Sequence, residues 1–168
     1  MSKLAVTGTQ TDSMPRSEAF LRAGEQWLLA DDPAAAASGF RLAMADGGPV
    51  FVDPRVPLAR ALFLLGKPAE AQSLLEQLKA EGLRDPRMCD LVAELLVERS
   101  DLAGALDWAT AGVELFLERK GNGTTAPGQV GNGGDSDAEL RLLLSLRYRI
   151  RNDLGLPEDR YDGLLDDA

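Results

Sequence analysis

A pattern of small and apolar residues returns along this chain at an almost constant interval. In each copy a small residue is followed four and seven residues later by further small or apolar residues. The three copies are Ala36-x3-Phe40-x2-Ala43, Ala71-x3-Leu75-x2-Leu78 and Ala105-x3-Ala109-x2-Gly112. They are offset by 35 and then 34 residues. A fixed period in this range predicts stacked helical hairpins, because one hairpin cannot bury its apolar face alone.

The segment before each copy repeats as well. Its central position stays small in all three, as Gly24, Ala59 and Ala93. A glycine inside a helix costs roughly 1 kcal/mol relative to alanine. We therefore expect the missing side chain of Gly24 to let a partner helix carrying Ala36 and Phe40 approach closely.

Helix start and stop signals divide the repeats into pairs of helices. Three Asp-Pro pairs, at 32–33, 53–54 and 85–86, combine an N-cap acceptor with a proline suited to the first helical position. Gly47, Gly66 and Gly82 mark helix ends, where a left-handed residue is often needed. The predicted helices span 18–30, 33–46, 54–65, 68–81, 86–99, 102–119 and 137–154.

The first unit resembles the tetratricopeptide repeat family, whose unit of about 34 residues is a helix–turn–helix with the pattern W-x2-L-G-x2-Y…A-x3-F…P. Phe20 and Trp27 stand at its aromatic positions, Gly24 at its glycine, and Ala36 and Phe40 in its second helix. The later units depart from the aromatic and Phe positions, where they carry Arg55, Cys89, Leu62, Leu96 and Ala109.

This resemblance implies an all-α fold, an α-α superhelix of about three repeats closed by a C-terminal capping helix. The expected organisation is a flexible N-terminal arm over 1–16, repeats over 17–52, 53–84 and 85–119, a Gly-rich linker over 120–136, and a capping helix with an acidic tail over 137–168. We predict that Ser136 and Glu139 form a capping box at the start of that last helix.

Charge and hydropathy bound the class of partner. The 168 residues carry a net charge of −9, with a pI near 4.5. This balance argues against nucleic-acid and anionic-membrane surfaces, and it favours a basic or apolar partner. The first sixteen residues lack the apolar run of a secretory signal, and no segment approaches the roughly 20 apolar residues of a membrane span. We therefore expect a cytoplasmic protein.

Several kinds of catalytic site are missing from the sequence. The chain has no histidine and a single cysteine, Cys89, which we expect to be buried filler. Ser–His and Cys–His nucleophile pairs, imidazole metal ligands and an internal disulfide are thereby excluded. No phosphate-binding loop or nucleophile elbow is found. We predict that the protein is not an enzyme and binds no cofactor or metal.

The resemblance also implies a concave groove lined by the first helix of each repeat, a surface that typically holds peptides. The positions carried over are apolar in the middle and acidic at the edges, which suits a basic amphipathic segment. They are Leu21, Glu25, Leu28, Leu29, Arg60, Phe63, Leu64, Glu94 and Glu98. Three other coverings stay open: the chain's own arm, its terminal helix, or a second copy in a homo-oligomer.

Two further surfaces have alternative interpretations. The apolar connector 49–52 either tucks Phe51 against the first two hairpins, which we favour, or forms an exposed docking strand. The last helix carries a basic cluster that either pairs with the acidic tail or binds an acidic partner. Its members are Arg141, Arg147, Arg149 and Arg151.

The sequence thus favours a non-enzymatic protein-interaction module or adaptor. One alternative is a self-associating scaffold whose groove is filled by another subunit. A weaker alternative is an interaction subunit of a nucleic-acid-associated complex that uses the arginine-rich helix, although nucleic-acid binding is not expected from the net charge. A fold alone does not decide among these functions.

Overall fold

Seven α-helices and one 3-10 turn account for the secondary structure of the described residues. The computed structural model describes residues 14–83, 85–122 and 133–165, and within them it contains no strand, as the sequence predicted. The helices are α1 (Arg16–Leu29), α2 (Pro33–Asp46), α3 (Arg55–Leu64), α4 (Pro68–Ala80), α5 (Pro86–Glu98), α6 (Leu102–Gly121) and α7 (Gly133–Asp153), followed by the 3-10 turn Asp162–Leu165.

Aspartate side chains organise the helix starts. The Asp32 carboxylate accepts the Ala35 N–H at 2.9 Å, and that of Asp85 accepts the Arg87 N–H at 3.0 Å. Both act as the predicted N-caps. Asp53 lies one residue further from its helix than expected, because α3 begins at Arg55 rather than Pro54. Its carboxylate accepts the Arg55 N–H at 3.0 Å.

The three hairpins turn in the same way. Two residues before the second helix of each, the backbone is left-handed: Asp31 (φ 60°), Gly66 (φ 71°) and Ser100 (φ 62°). The next residue donates its N–H to the carbonyl five positions back, at 2.9 Å each time: Asp32 to Trp27, Lys67 to Leu62, and Asp101 to Leu96. These positions are again 35 and 34 residues apart, so the period seen in the sequence is also a period of backbone conformation.

Helix α7 ends with the same turn. Gly155 has φ 66°, and the Leu156 N–H donates to the Arg151 carbonyl at 2.9 Å. Its start differs from the prediction, because α7 begins at Gly133 and not at 137. Ser136 therefore lies inside the helix, and the capping box expected there is wrong.

The helices stack in chain order around a continuous core. Pairs α1–α2, α3–α4 and α5–α6 form the hairpins, and α2 packs on α3. Helix α5 contacts α3 on one side and α7 on the other. The core runs from Leu21 through Leu62 and Leu96 to Ile150. A second cluster joins α6, α7 and the C-terminal turn through Phe116, Leu143, Tyr161 and their neighbours.

Small residues bring paired helices together. A Cβ on Gly24 would lie 2.5 Å from Cε1 of Phe40, and one on Gly39 would lie 3.1 Å from the Gly24 Cα. The predicted close approach at Gly24 is thus confirmed. In the third hairpin Gly112 does the same, since a Cβ there would lie 2.9 Å from the Cβ of Cys89. Cys89 itself is fully buried, as expected, and burial raises the pKa of its thiol to about 11.

Two expected segments fall mostly outside the described residues. Of the N-terminal arm only 14–16 are described, and Arg16 already belongs to α1. Of the Gly-rich linker, 123–132 lie outside, while α6 extends to Gly121.

Candidate functional site

A cleft of about 980 Å³ opens between the connector 49–53 and the first two turns of α5. We call it the α5 cleft. The end of α4 contributes the remaining wall. Its lining residues are Val50, Phe51, Val52, Asp53, Arg55, Leu78, Glu81, Gly82, Asp85, Arg87, Met88, Asp90 and Leu91.

Among the described residues of this lining, acidic groups outnumber basic ones, with four carboxylates against two guanidinium groups. Both guanidinium groups are already paired. Arg55 contacts Asp53 at 2.8 Å and Glu81 at 2.7 Å, and Arg87 pairs with Glu139 of α7. The cleft therefore presents apolar surface with an excess of negative charge.

The Asp90 carboxylate lies in the cleft without a hydrogen bond or an ion pair from the described residues. It is half-buried. Burial, together with the neighbouring charges of Glu94 and Glu139, raises its pKa to about 6.

The connector that forms one side of the cleft is held against α1. The Ser17 hydroxyl donates to the Pro49 carbonyl at 2.8 Å, and the Glu18 carboxylate accepts the Phe51 N–H at 3.0 Å. Both α1 side chains are buried. The Phe51 N–H, followed by Arg22, lowers the pKa of Glu18, so this carboxylate is ionised at neutral pH.

Phe51 itself lies outside the core. Its neighbours Val50 and Val52 pack against the buried cluster, but the Phe51 ring is 81% exposed. The interpretation we favoured, with Phe51 tucked against the first hairpins, is therefore wrong. The hydrogen bonds with Ser17 and Glu18 hold the backbone of the connector and do not involve the Phe51 side chain. The ring can therefore remain in solvent.

The predicted groove residues of α3 and α5 are brought together. Arg60 and Glu98 form an ion pair at 3.1 Å between these helices. Leu64 is 53% exposed, Phe63 is partly buried against the core, and Glu94 is exposed. On α5, Glu94 and Glu98 continue the helical row that starts at Asp90 in the cleft, since residues four apart share a face.

The predicted groove residues of α1 differ in burial. Leu21 is only 2% exposed and belongs to the core, so it takes no part in a surface groove. Leu28 is partly buried against that core, whereas Glu25 and Leu29 are exposed. The buried stripe of α1 runs through Ser17, Leu21 and Gly24, whereas Trp27, at an aromatic position of the repeat pattern, is 49% exposed.

The predicted basic patch is divided. Arg147 is only 3% exposed, contacts Asp162 at 3.2 Å and also pairs with Asp159. Arg151 contacts the same two carboxylates at 3.3 and 3.0 Å. These two arginines therefore pair with the acidic C-terminal segment, which is the first of the two interpretations. Arg141 and Arg149 remain exposed on α7.

The sequence predicted a groove along the first helix of each repeat, but it missed the cleft between α5 and the connector. The signal was the apolar run Val50-Phe51-Val52, which is unusual in a surface loop. The contacts of Ser17 and Glu18 with this run join positions more than thirty residues apart. These contacts cannot be predicted from a local sequence pattern.

Comparison with known proteins yields no relatives: no protein-family model, no curated protein and no solved structure matches this chain. Among the described residues, no helix has the length and apolar character needed to cross a membrane, and no cluster of His, Cys, Asp or Glu side chains has the arrangement of a metal site.

Proposed function

We propose that this protein is a non-enzymatic interaction module, an array of tetratricopeptide-like hairpins that holds a basic, amphipathic protein segment along α3 and α5. One observation carries the proposal: the α5 cleft, of about 980 Å³, is lined by apolar side chains, of which Phe51 and Leu91 are exposed, and by more carboxylates than cations among its described residues. Clefts of this size accept peptide side chains, and apolar contacts supply most of the affinity while charges orient the partner.

The row on α5 gives the surface its preference for cations. Asp90, Glu94 and Glu98 follow one another at intervals of four residues, and only Glu98 has an arginine partner among the described residues. A basic segment lying along this row would face unpaired carboxylates. An acidic segment would meet repulsion there, which is how charge excludes wrong partners.

The test uses a labelled peptide of about 18 residues in which Leu and Lys alternate with helical periodicity. A peptide of the same composition in scrambled order is the reference. We expect Glu94→Lys/Glu98→Lys to weaken binding of the amphipathic peptide about tenfold, because two favourable charge contacts become repulsive. Fluorescence anisotropy at two salt concentrations measures the change.

A matched variant separates local from general charge effects. Glu76→Lys/Glu118→Lys makes the same change in net charge on the exposed surfaces of α4 and α6. It should leave affinity within about twofold of wild type at 0.15 M salt, where the screening length is about 8 Å. Equal weakening by both double variants would contradict the proposal, because binding would then follow net charge alone.

A further inference from the structure

The exposed phenylalanine of the connector occupies a fixed place between two cavities. Phe51 lines the α5 cleft on one side. On the other it lines a cavity of about 500 Å³ bounded by the start of α1, with Met14, Pro15 and Arg22 among its residues. The ring therefore stands between the first hairpin and the third on one face of the array.

The backbone that carries this ring is held by contacts within the chain. Ser17 and Glu18 hold the connector from α1, and Val50 and Val52 pack into the core on either side of Phe51. An apolar side chain on a backbone that is already held in place loses less conformational entropy on binding. Less of the free energy gained by burying it is then offset by ordering. Aromatic residues of this kind dominate binding energies at protein interfaces.

Charge selects the occupant of the cleft beside Phe51. A second copy of this chain would bring the same carboxylate excess and a net charge of −9 against Asp90. A lysine or arginine of a partner would instead meet a carboxylate that has no cation beside it among the described residues. The complementary occupant is therefore a basic segment with apolar residues on one side.

We propose that Phe51 is the apolar anchor of the α5 cleft, and that a basic amphipathic segment binds with an apolar side chain between Phe51 and Leu91 and a cationic side chain against Asp90. Leu91 is 37% exposed on α5 and lines the same cleft. This inference rests on the proposed function and specifies the end of the α3–α5 surface at which the partner is anchored.

The experiment measures binding of the same Leu/Lys peptide to the full chain carrying single substitutions. We expect Phe51→Ser to weaken binding at least tenfold, as loss of a central aromatic contact does. Asp90→Asn should weaken it about threefold and reduce the salt dependence. Leu42→Ser on α2, also at an exposed apolar position, is the matched control and should have no effect. Circular dichroism confirms that each variant is folded, which is expected because the Phe51 ring lies in solvent.

The outcomes separate this inference from the proposed function. If Phe51→Ser binds as wild type does while Glu94→Lys/Glu98→Lys is weakened, the anchor is wrong and the interaction module stands. If neither change matters, or if the peptide does not bind at concentrations on the order of 100 μM, both proposals fail. A wild-type dimer that Phe51→Ser converts to a monomer would assign the ring to self-association and overturn the anchor.

Discussion

Burial and two like charges raise the pKa of Asp90, and no described side chain pairs with it. The side chains around it are Glu94 on its own helix and Glu139 on α7, and Glu139 is paired with Arg87. An acid held in this way destabilises the folded chain at neutral pH, because the ionised form is more favourable after unfolding. A partner's cation would remove that penalty. The unpaired Asp90 carboxylate would thus account both for the loss of stability and for the proposed binding.

The sign of the pH dependence follows from the raised pKa. Between pH 3.8 and about 6 the folded protein keeps the Asp90 proton more tightly than the unfolded chain does, so this group lowers stability as pH rises through that interval. At pH 7.5 we expect Asp90→Asn to increase the free energy of unfolding by about 1 kcal/mol, a value reduced for solvent screening. Urea unfolding at pH 7.5 and pH 3.5 measures it.

The control for this change is Asp107→Asn, at an exposed position of α6. It should alter stability by less than about 0.5 kcal/mol at either pH. The gain from Asp90→Asn should disappear at pH 3.5, where the wild-type carboxyl is protonated in the folded state. A gain of equal size at both pH values would show that the repulsion described for Asp90 is not its cause.

At the same scale, the sequence predicted contacts that depend on size better than those that depend on helix rotation. Gly24 against Phe40 was predictable, because a glycine inside a helix implies a close neighbour. Leu21 was expected in a surface groove and lies in the core, because a helix turns about 100° per residue and a small rotation moves boundary positions between core and surface. No described hairpin precedes α1 to fix that rotation.

The hairpin turns are the most regular elements of the molecule. Two residues after the first helix of each hairpin, and also after α7, the backbone is left-handed, and the next N–H donates to the carbonyl five positions back. The sequence predicted where α1, α3 and α7 end because a glycine or a proline follows each of them and acts locally. The signal for α7 was present too: Leu65-Gly66-x-Pro68 returns as Leu154-Gly155-x-Pro157. The start of α7 was missed because no comparable signal occurs near Gly133.

The shared turn predicts opposite effects of two substitutions. Ser100 has φ 62°, a conformation that costs a residue with a Cβ roughly 1 kcal/mol, whereas glycine adopts it freely. We expect Ser100→Gly to stabilise the protein by about 0.5 kcal/mol and Gly66→Ala to destabilise it by about 1 kcal/mol. Thermal unfolding followed by circular dichroism compares them.

Open space around Gly66 makes this a clean comparison, because a Cβ there would meet nothing within 4 Å. Any loss in Gly66→Ala is therefore backbone strain rather than a clash. Gly121→Ala, in the last turn of α6, has equally open surroundings without a left-handed backbone, and it should not destabilise the chain. If Gly66→Ala proved as stable as Gly121→Ala, the turn would carry no strain.

Across the whole molecule, one core connects α1 to α7. Leu62 of the middle hairpin, 1% exposed, belongs to the same buried cluster as Leu21 of the first hairpin and Ile150 of α7. In a short array with a shared core, neighbouring hairpins stabilise one another, and loss of one contact is felt along the chain. The stacked arrangement was predictable from the period, whereas the cleft at its face was not, because it depends on long-range contacts of one connector.

This continuity predicts cooperative unfolding. We expect Leu62→Ala to lower the free energy of unfolding by about 3 kcal/mol through the cavity it leaves, with the transition remaining single. Differential scanning calorimetry and far-ultraviolet circular dichroism should give coincident curves. Leu29→Ala, at a position 80% exposed, should change stability by less than about 0.5 kcal/mol. Two separate transitions in Leu62→Ala would mean that the hairpins unfold independently.

The buried thiol of Cys89 provides a built-in probe of how often the third hairpin opens. Cys89 lies where α5 meets Gly112 of α6, and burial raises the pKa of its thiol to about 11. In the closed array an alkylating reagent therefore cannot reach the thiol, and almost none of the thiol is in the reactive thiolate form. Labelling must wait until the third hairpin separates. Since the chain contains no other thiol, the labelling rate reports how often the α5–α6 hairpin opens, and a partner seated on α5 would slow it without any probe having been introduced.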